Sequence, residues 1–331
     1  MMYDIKVSIL VPICNVEKFL GKCLQSLVNQ TLRNIEIICI NDGSKDSSLD
    51  IIKEFSSTDN RIVIIDKPNS GYGDSMNQGL KIARGEYIGI VESDDFVDSK
   101  MFEELYKIAK ENNADVVKSN FNFYWENPNK VVFCNNVGVK KEESKTEVCR
   151  NKLFWSMPAI WSGLYKKSFL FEKNIKFLLT PGASYQDTSF NFKVACTARS
   201  IVLTPKAYLY YRQDNSNSSV KNASMEKVYC LHKEWDEAKK YLNEGRLDEY
   251  LKYYHTLKFN GFLWNYSRIS AVDRKIYFEE LRKNFADIIS KNTIVVSHIP
   301  KYCRYGGLFA IKNNIKCILD AMLWLRKVVK G

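Results

Sequence analysis

Residues 1–115 predict an α/β fold whose mostly parallel central sheet is flanked by helices on both faces. Short, apolar, β-rich runs alternate there with segments whose apolar residues recur every three or four positions, a pattern typical of alternating strands and helices. Polar clusters follow the first, second and fourth strand-like runs. Open parallel sheets bind ligands beyond these ends of their strands, so the sequence predicts a ligand-binding domain.

The individual elements follow from apolar periodicity and from turn residues. Continuous apolar runs, as expected for strands covered on both faces, predict strands at 7–11, 35–40, 61–66 and 87–91. Helical spacing predicts helices at 16–29, 46–56, 74–83 and 97–110. Further along, we predict strands at 114–117, 201–203 and 208–211, a helix at 188–197 and a long surface loop at 135–149.

The character of the sequence changes near residue 215. A stretch rich in Ser and Asn is followed there by long helical patterns with many charged and aromatic residues. We therefore predict one domain over residues 1–215, with halves 1–115 and 116–215, and a helical extension over residues 216–331. The length of 331 residues suits one large core with such an extension.

Composition and charge limit the classes of protein to which this chain can belong. The chain is 45% hydrophobic and 26% charged, as in soluble globular proteins, and no apolar run approaches the roughly 20 residues of a spanning helix. Its start has no signal-peptide pattern, so we expect a cytoplasmic protein. The nine cysteines are scattered without a C-x-x-C pair, which favours reduced, buried thiols. Much of the +11 net charge lies in the last 31 residues, which argues against a nucleic-acid partner.

The C-terminal 31 residues predict a basic amphipathic helix. Apolar residues recur at three- and four-residue steps from Leu308 to Val329, and lysines flank them. Such a helix can lie on an anionic membrane surface, or it can pack on the rest of the protein with its lysines in solvent. Both interpretations stay open.

Three acids, Glu92, Asp94 and Asp95, directly follow the fourth predicted strand. Clustered carboxylates repel each other unless a cation or hydrogen-bond donors are present, and Mg²⁺ or Mn²⁺ favours one or two carboxylates together with phosphate oxygens. The same residues could also cap the helix that follows. Composition alone does not decide between a metal site and a cap.

Several motifs in register resemble the family 2 glycosyltransferases. They are VSILVP at 7–12 with NVE at 15–17, NDGSKD at 41–46 and ESDD at 92–95, and the resemblance covers residues 5–215. It implies a GT-A fold, a Rossmann-like central sheet flanked by helices, here with a C-terminal helical extension. It also implies that residues 1–115 bind a nucleotide-sugar and residues 116–215 bind the acceptor.

The resemblance also implies a donor site. Asp42 would bind the base, in a pocket that Pro12 and Asn15 line, and a UDP-sugar is favoured as the donor. Asp94 would hold a divalent metal, Mn²⁺ or Mg²⁺, with Asp95 supporting it. The remaining donor contacts are assigned to Glu92 near the ribose, to Asn77 in the glycine-containing segment 69–79, and to Arg212 facing the diphosphate.

The acceptor half has two candidate residues by the same resemblance. Asp187 occupies the position of the general base, because an inverting transfer needs a carboxylate that takes the proton of the acceptor hydroxyl. Its alternative role is to cap the helix at 188–197. Trp161 could stack on a sugar face, or it could belong to the core, as large aromatic residues often do.

These assignments predict a glycosyltransferase that transfers a sugar with inversion to a saccharide or lipid-linked saccharide, in the synthesis of capsule, lipopolysaccharide or other surface polysaccharides. Peripheral attachment to the inner face of the plasma membrane would suit a lipid-linked acceptor. Cys14, Glu92 and Gln186 depart from the family pattern. They keep open the alternative of a non-catalytic nucleotide-sugar-binding or scaffold protein.

Overall fold

The computed structural model describes residues 5–216, 224–304 and 306–330, with the backbone alone for residues 302 and 325–330. The chain divides into two compact units, residues 1–219 and 220–331. The first unit holds a sheet flanked by helices, and the second consists of helices and short turns. The functional division into residues 1–215 and 216–331 stays a prediction.

The first unit contains nine strands within its described residues. They are β1 (Val7–Ile13), β2 (Ile35–Asp42), β3 (Ile62–Lys67), β4 (Tyr87–Ile90), β5 (Phe96–Val97), β6 (Val116–Trp125), β7 (Lys130–Cys134), β8 (Gly163–Lys166) and β9 (Ile201–Arg212). The helices of this unit are α1 (Glu17–Val28), α2 (Ser48–Thr58), α3 (Tyr72–Ile82), α4 (Met101–Glu111), α5 (Thr146–Trp155), α6 (Lys167–Glu172) and α7 (Gln186–Thr197). The predicted strand and helix alternation up to β4 is therefore confirmed.

The sheet has the strand order β3-β2-β1-β4-β8-β6-β9-β5, and β7 pairs with β6. Its first four strands are parallel, as predicted. The other part is mixed: β8 is antiparallel to β4 and β6, β9 is parallel to β6, and β5 is antiparallel to β9. One edge of β6 is shared, because residues 116–118 pair with β8 and residues 121–125 pair with β7.

A buried polar network joins the central strands. Ser8 on β1 donates to the Glu36 carboxylate on β2 at 2.5 Å, and the backbone N–H of Gly85 donates to the Ser8 hydroxyl at 2.7 Å. Arg84 holds the second carboxylate oxygen of Glu36 with two N–H groups at 2.7 and 2.9 Å. A buried carboxylate needs such partners to offset its desolvation, so this network fixes the turn before β4 against β1 and β2.

Several regions differ from the sequence-based prediction. The two short strands expected at 201–203 and 208–211 are one strand, β9. The strand continues through Pro205 because its pairing with β6 is irregular near Asn120, whose side-chain amide donates to the Pro205 carbonyl at 2.9 Å. Strands β5, β7 and β8 were not predicted, since they have two, five and four residues, too few to show a clear periodicity. The segment 135–149 is not only a surface loop, because Val137 and Val139 are buried and α5 begins at Thr146.

The second unit is helical, as predicted. Its helices are α8 (Met225–Gly245), α9 (Leu251–Arg268), α10 (Ala271–Ser290), α11 (Gly306–Lys312) and α12 (Lys316–Lys330). Aromatic side chains form much of its core. His232 stacks on Phe262 with ring centroids 4.1 Å apart, and burial lowers the pKa of His232 to about 4. Among the described residues, no helix combines the length and the apolar character needed to cross a bilayer.

The C-terminal amphipathic segment is two helices rather than one. Asn314, with a φ of 60°, adopts the left-handed conformation that interrupts α11 and α12. Ile311 and Leu319 are buried, whereas Phe309 and Trp324 are exposed. The predicted apolar positions beyond Trp324 lie outside the residues whose side chains are described.

Helix α3 approaches the segment before α7 so closely that only glycine fits at one position. A Cβ atom on Gly73 would overlap the carbonyl oxygen of Leu178, which is a backbone atom and cannot move aside cheaply. Tyr72 donates its backbone N–H to the Gly182 carbonyl at 3.1 Å in the same region. The backbone of α3 and the backbone of residues 178–182 therefore form one packed layer.

We expect Gly73→Ala to lower the free energy of unfolding by about 2 kcal/mol or more, because a backbone must shift to admit the methyl group. The matched control is Gly21→Ala in helix α1, where the added Cβ meets nothing within 4 Å. This control should raise stability by up to about 1 kcal/mol through helix propensity. Denaturant unfolding of both variants measures the difference, and equal stabilities would contradict this description of the α3 contact.

Candidate active site

The acidic turn between β4 and β5 forms the centre of the candidate site. The backbone N–H of Asp95 donates to the Glu92 carbonyl at 3.0 Å and closes the turn. Asp95 is 1% exposed, and its Oδ1 accepts the backbone N–H of Arg212 at 2.8 Å. Its Oδ2 is buried and has no hydrogen-bond partner within the described structure. Burial and the charge of Asp94 raise the pKa of Asp95 well above its usual range.

Glu92 faces the start of helix α3. The Tyr72 hydroxyl donates to Glu92 Oε1 at 2.7 Å. Burial is the main cause that raises the pKa of Glu92 to about 8, and the charges of Asp94 and Asp187 add to the effect. The pKa of Tyr72 is also raised, by burial and by the negative charges of Glu92 and Asp187. Glu92, Tyr72 and Asp187 therefore lie within electrostatic reach of one another.

Asp94 lies at the outer side of the same turn. Its Oδ2 accepts a hydrogen bond from the Asn215 amide at 2.8 Å, and its backbone carbonyl accepts one from Arg212 Nε at 3.0 Å. The Arg212 guanidinium also pairs with Glu126 at 2.8 Å and with Asp214 at 3.3 Å. Arg212 is therefore buried, and its hydrogen bonds and ion pairs fix the acidic turn to the end of β9. Its contact with a diphosphate stays a prediction.

Helix α7 begins at Gln186 rather than at Thr188, so Asp187 lies in its first turn and the N-cap position is held by Tyr185. Burial raises the pKa of Asp187 from 3.8 to about 6, and hydrogen bonds from Thr188 and from backbone N–H groups oppose that rise. The charge of Asp187 contributes to the raised pKa of Tyr165 on β8. A partly buried carboxylate with this pKa is ionised at neutral pH and is basic enough to accept a proton.

The loop before Asp187 explains one departure from the family pattern. The Gln186 side chain accepts the backbone N–H of Ser184 at 2.6 Å, and its amide group donates to the Thr180 hydroxyl at 2.9 Å and to the Gly182 carbonyl at 3.1 Å. A carboxylate could accept the first bond but could not donate the others. An amide at position 186 therefore suits this loop, in which Tyr185 has a φ of 68°.

The predicted base pocket lies at the ends of β1 and β2. Pro12 is buried within β1, and Asn15, with a φ of 53°, accepts the backbone N–H of Lys45 at 2.8 Å. Asp42 accepts the backbone N–H groups of Ser70 at 2.8 Å and of Gly71 at 3.0 Å, and it pairs with Lys67. Asp42 thus fixes the loop before α3.

The two remaining candidates have protein partners of their own. The Asn77 amide exchanges hydrogen bonds with both backbone groups of Phe177, at 2.9 and 3.0 Å, so it joins α3 to residue 177. Trp161 is 8% exposed and packs against Phe121 and Tyr211, with ring centroids 4.7 and 5.0 Å away. A donor contact of Asn77 and an acceptor contact of Trp161 stay predictions.

The structure thus groups most of the predicted residues near the carboxyl ends of the strands, but Asn77 and Trp161 are engaged elsewhere in the domain. The acids of the 92–95 turn lie with Arg212 and within the electrostatic reach of Asp187, and Pro12, Asn15 and Asp42 lie at the ends of β1 and β2. Sequence analysis did not single out Tyr72 or Lys67. Their positions, directly after Gly71 at the start of α3 and at the last residue of β3, are the signal that would have found them.

The acidic turn suits a divalent cation that is shared with a substrate. The described residues contain no cluster of three or more His, Cys, Asp or Glu side chains that could hold a metal alone. Mg²⁺ and Mn²⁺ are commonly held by one or two carboxylates together with phosphate oxygens. The unpartnered Asp95 Oδ2 and the raised pKa values of Glu92 and Asp95 show an excess of negative charge that such a cation would offset. The residues present therefore fit one.

Residues 8–177 match the sequence model described as Glycosyl transferase family 2. The chain belongs to this family. It is 33% identical over 223 residues to glycosyltransferase GlyA of Streptococcus pneumoniae, a match that covers 64% of this chain and 31% of that protein. It is 32% identical over 235 residues to the poly(ribitol-phosphate) beta-glucosyltransferase of Bacillus spizizenii, covering 68% of this chain and 35% of that protein. The matches thus span about a third of each relative.

A solved structure shows the same fold over nearly the whole chain. S. aureus TarS 1-349 in complex with UDP-GlcNAc aligns with a TM-score of 0.73 at 19% identity, covering 97% of this chain and 91% of that chain. The predicted GT-A fold with a C-terminal helical region is therefore confirmed. The acidic turn lies within the residues that match the family, 8–177, whereas Asp187 lies beyond them in the same compact unit.

Asp187→Asn tests the raised pKa through protein stability. Because the pKa in the folded state (about 6) exceeds that of the free side chain (3.8), ionising Asp187 costs stability as pH rises from 4 through 6. The variant removes that cost, so we expect it to raise the free energy of unfolding by about 1–3 kcal/mol at pH 8 and by little at pH 4.

The matched control is Asp59→Asn, because hydrogen bonds from Arg61 lower the pKa of Asp59. This control should lose stability at pH 8, the opposite sign. Denaturant unfolding at both pH values measures both variants. An Asp187→Asn protein that is no more stable than wild type at pH 8 would contradict the raised pKa.

Proposed function

We propose that this chain is an inverting glycosyltransferase that moves a sugar from a nucleotide-diphosphate sugar, with a UDP-sugar as the favoured donor, to an acceptor hydroxyl. The observation that carries the proposal is that Asp187, whose pKa is raised to about 6, lies within electrostatic reach of the acidic turn at the end of β4. A reaction of this class needs a proton acceptor beside a site for a diphosphate, and these two features supply both.

The donor would bind along the carboxyl ends of β1, β2 and β4. Asp42, with Pro12 and Asn15, would meet the base, and the buried backbone hydrogen bonds of Asp42 keep its carboxylate in one orientation. Glu92 would lie by the ribose, and Tyr72 holds its carboxyl group in place. TarS was crystallised with UDP-GlcNAc on the same fold, which supports this placement of a nucleotide-sugar.

The diphosphate would lie at the acidic turn. Asp94, supported by Asp95, would hold the divalent cation, Mn²⁺ or Mg²⁺, which when bound neutralises the charge of the leaving diphosphate. Arg212 holds this turn in place through the Asp95 carboxylate and the Asp94 carbonyl. We assign Arg212 mainly this positioning role, because Glu126 and Asp214 already pair with its guanidinium.

Asp187 would take the proton of the acceptor hydroxyl as that oxygen attacks the anomeric carbon. Attack from the side opposite the diphosphate, in a single displacement, inverts the configuration at that carbon. A base with a pKa of about 6 loses activity as pH falls below 6, because its carboxylate becomes protonated. Trp161 lies beside Tyr211 and would border the acceptor sugar.

The acceptor would be a saccharide or lipid-linked saccharide of the cell surface. One relative is named for glucosyl transfer to poly(ribitol-phosphate), which supports a pathway of surface-polymer synthesis for this chain. We further propose a cytoplasmic location at the inner face of the plasma membrane. Phe309 on α11 is 54% exposed and Trp324 on α12 is 63% exposed, in a segment rich in lysine. Exposed aromatic residues among lysines are typical of contacts with anionic membrane surfaces.

Release of nucleotide from a panel of UDP-, GDP- and dTDP-sugars, with Mn²⁺ or with EDTA, tests the transfer reaction. We expect release from one donor, dependent on the metal, and at least a hundredfold slower release by Asp94→Asn because the cation loses a ligand. The control is Asp98→Asn, which removes an exposed carboxylate four residues away and should stay within twofold of wild type. If wild type neither releases nor binds any donor in a metal-dependent way, the binding or scaffold alternative replaces the catalytic one.

Vesicle flotation tests the membrane contact. We expect the full-length protein to float with anionic phospholipid vesicles and not with neutral ones, and we expect a Phe309→Ser, Trp324→Ser double variant to float several-fold less. Val272→Ser on α10 removes another exposed apolar side chain and serves as the control. Equal recovery of wild type and the double variant in the lipid fraction would rule out this contact.

A further inference from the structure

A row of aromatic side chains crosses one face of the sheet next to the candidate site. Residue pairing places Phe123 on β6 beside Tyr211 on β9 and beside Val132 on β7, so these three side chains share a face. Trp125 is two residues beyond Phe123 and lies on the same face. Trp161 packs against Tyr211. We call these five residues, Trp161, Tyr211, Phe123, Trp125 and Val132, the aromatic strip.

The rings of the strip follow each other at near-regular distances. Trp161 and Tyr211 have centroids 5.0 Å apart, Tyr211 and Phe123 are 6.1 Å apart, and Phe123 and Trp125 are 6.3 Å apart. Exposure rises along the row. Trp161 is 8% exposed, the next three rings are partly exposed, and Val132 is 39% exposed. The strip thus runs from the interior to the surface.

The opposite face of the same strands is ordinary core. Phe96 stacks on Tyr210 with centroids 4.6 Å apart and meets Tyr124 edge-on at 4.9 Å. On the face of the strip, packing within the domain involves Phe121, which is fully buried and contacts Trp161 and Tyr211. It does not account for the partly exposed rings of Tyr211, Phe123 and Trp125, and exposed apolar side chains in one contiguous row mark binding surfaces.

The inner end of the strip adjoins the catalytic acids. Tyr211 directly precedes Arg212, whose backbone N–H donates to Asp95 at 2.8 Å. Burial, together with the negative charges of Asp95, Asp94 and Asp187, raises the pKa of the Tyr211 hydroxyl. A molecule that presents a hydroxyl to Asp187 could therefore continue over Tyr211 and onto the strip.

We propose that the aromatic strip binds the acceptor as an extended carbohydrate chain of several sugars, stacked in sequence on Tyr211, Phe123 and Trp125. This inference rests on the proposed transferase function and specifies its acceptor class. The apolar C–H face of a sugar ring matches an aromatic face, while its hydroxyls stay in water.

The outer end of the strip favours a carbohydrate over a hydrocarbon chain. Lys130 places its ammonium group 5.1 Å from the Trp125 ring, and the charged side chain of Glu126 follows Trp125 directly. A hydrocarbon chain would have to strip water from these charges without replacing their hydrogen bonds. The hydroxyls of a sugar can supply such bonds.

The test measures binding of the full-length protein to immobilised homo-oligomers of glucose, N-acetylglucosamine, galactose and mannose, each one to six residues long. Wild type should bind six-residue chains of at least one sugar more tightly than single residues. Trp125→Ala should weaken six-residue binding about tenfold, equivalent to about 1.4 kcal/mol. Its effect on single-residue binding should stay within twofold, because a single sugar does not reach Trp125.

Two variants separate stacking from misfolding. Trp125→Phe keeps a ring and should retain at least half of the wild-type affinity, with thermal unfolding measured for every variant. Phe171→Ala removes an exposed ring on helix α6, outside the strip, and should bind as wild type does. Absence of any length dependence in wild type, or equal six-residue binding by wild type and Trp125→Ala, overturns the proposal. A Trp125→Ala protein that floats less with phospholipid vesicles but binds six-residue glycans as wild type does also overturns the proposal.

Donor hydrolysis by the same wild-type preparation separates this proposal from the function on which it rests. Metal-dependent hydrolysis without length-dependent glycan binding overturns the strip alone. Glycan binding that depends on Trp125, in a protein that neither hydrolyses nor binds any donor, overturns the transferase function and supports the strip as a carbohydrate-binding surface.

Discussion

The acidic turn between β4 and β5 constrains the whole first unit. Four strand spacings, about 19 Å, separate β4 from β5 in the sheet order, yet only six residue steps join Ile90 to Phe96. Fully extended, those steps span about 20 Å, and the hydrogen bond from Asp95 to Glu92 shortens them. The sheet must therefore curl until its far edge approaches β4. The turn that carries the acids is also the link that holds the curl.

This constraint explains why the acids can persist inside the fold. Carboxylates at such a junction lose hydration, and the raised pKa values of Glu92, Asp95 and Asp187 record the cost. Arg212 and Tyr72 supply hydrogen bonds that hold the acids in place but leave Asp95 Oδ2 unpartnered. A ligand that brings positive charge would stabilise such a site, so cation binding there would be coupled to folding stability.

Local patterns predict most of the parallel half, because β1, β2 and β4 are buried along their whole length and α1 to α3 bury one face each. The same patterns miss β5, β7 and β8, because strands of two, five and four residues are too short to show a clear periodicity. Motifs found the acids and Asp187. They could not find that Asn77 is bound to the Phe177 backbone or that Arg212 is buried among carboxylates, since these contacts join residues far apart in the chain.

Strand β7 also exposes a conflict in how this protein can change over evolutionary time. It pairs with β6, and its side chains are exposed, so its outer edge resembles the open edges along which proteins join into aggregates. The usual remedy is to replace apolar residues there with charged ones. Val132 forms the outer end of the proposed aromatic strip, so a charged residue there would remove one member of that surface. If the strip binds a glycan as proposed, selection for solubility and selection for glycan binding act on Val132 in opposite directions.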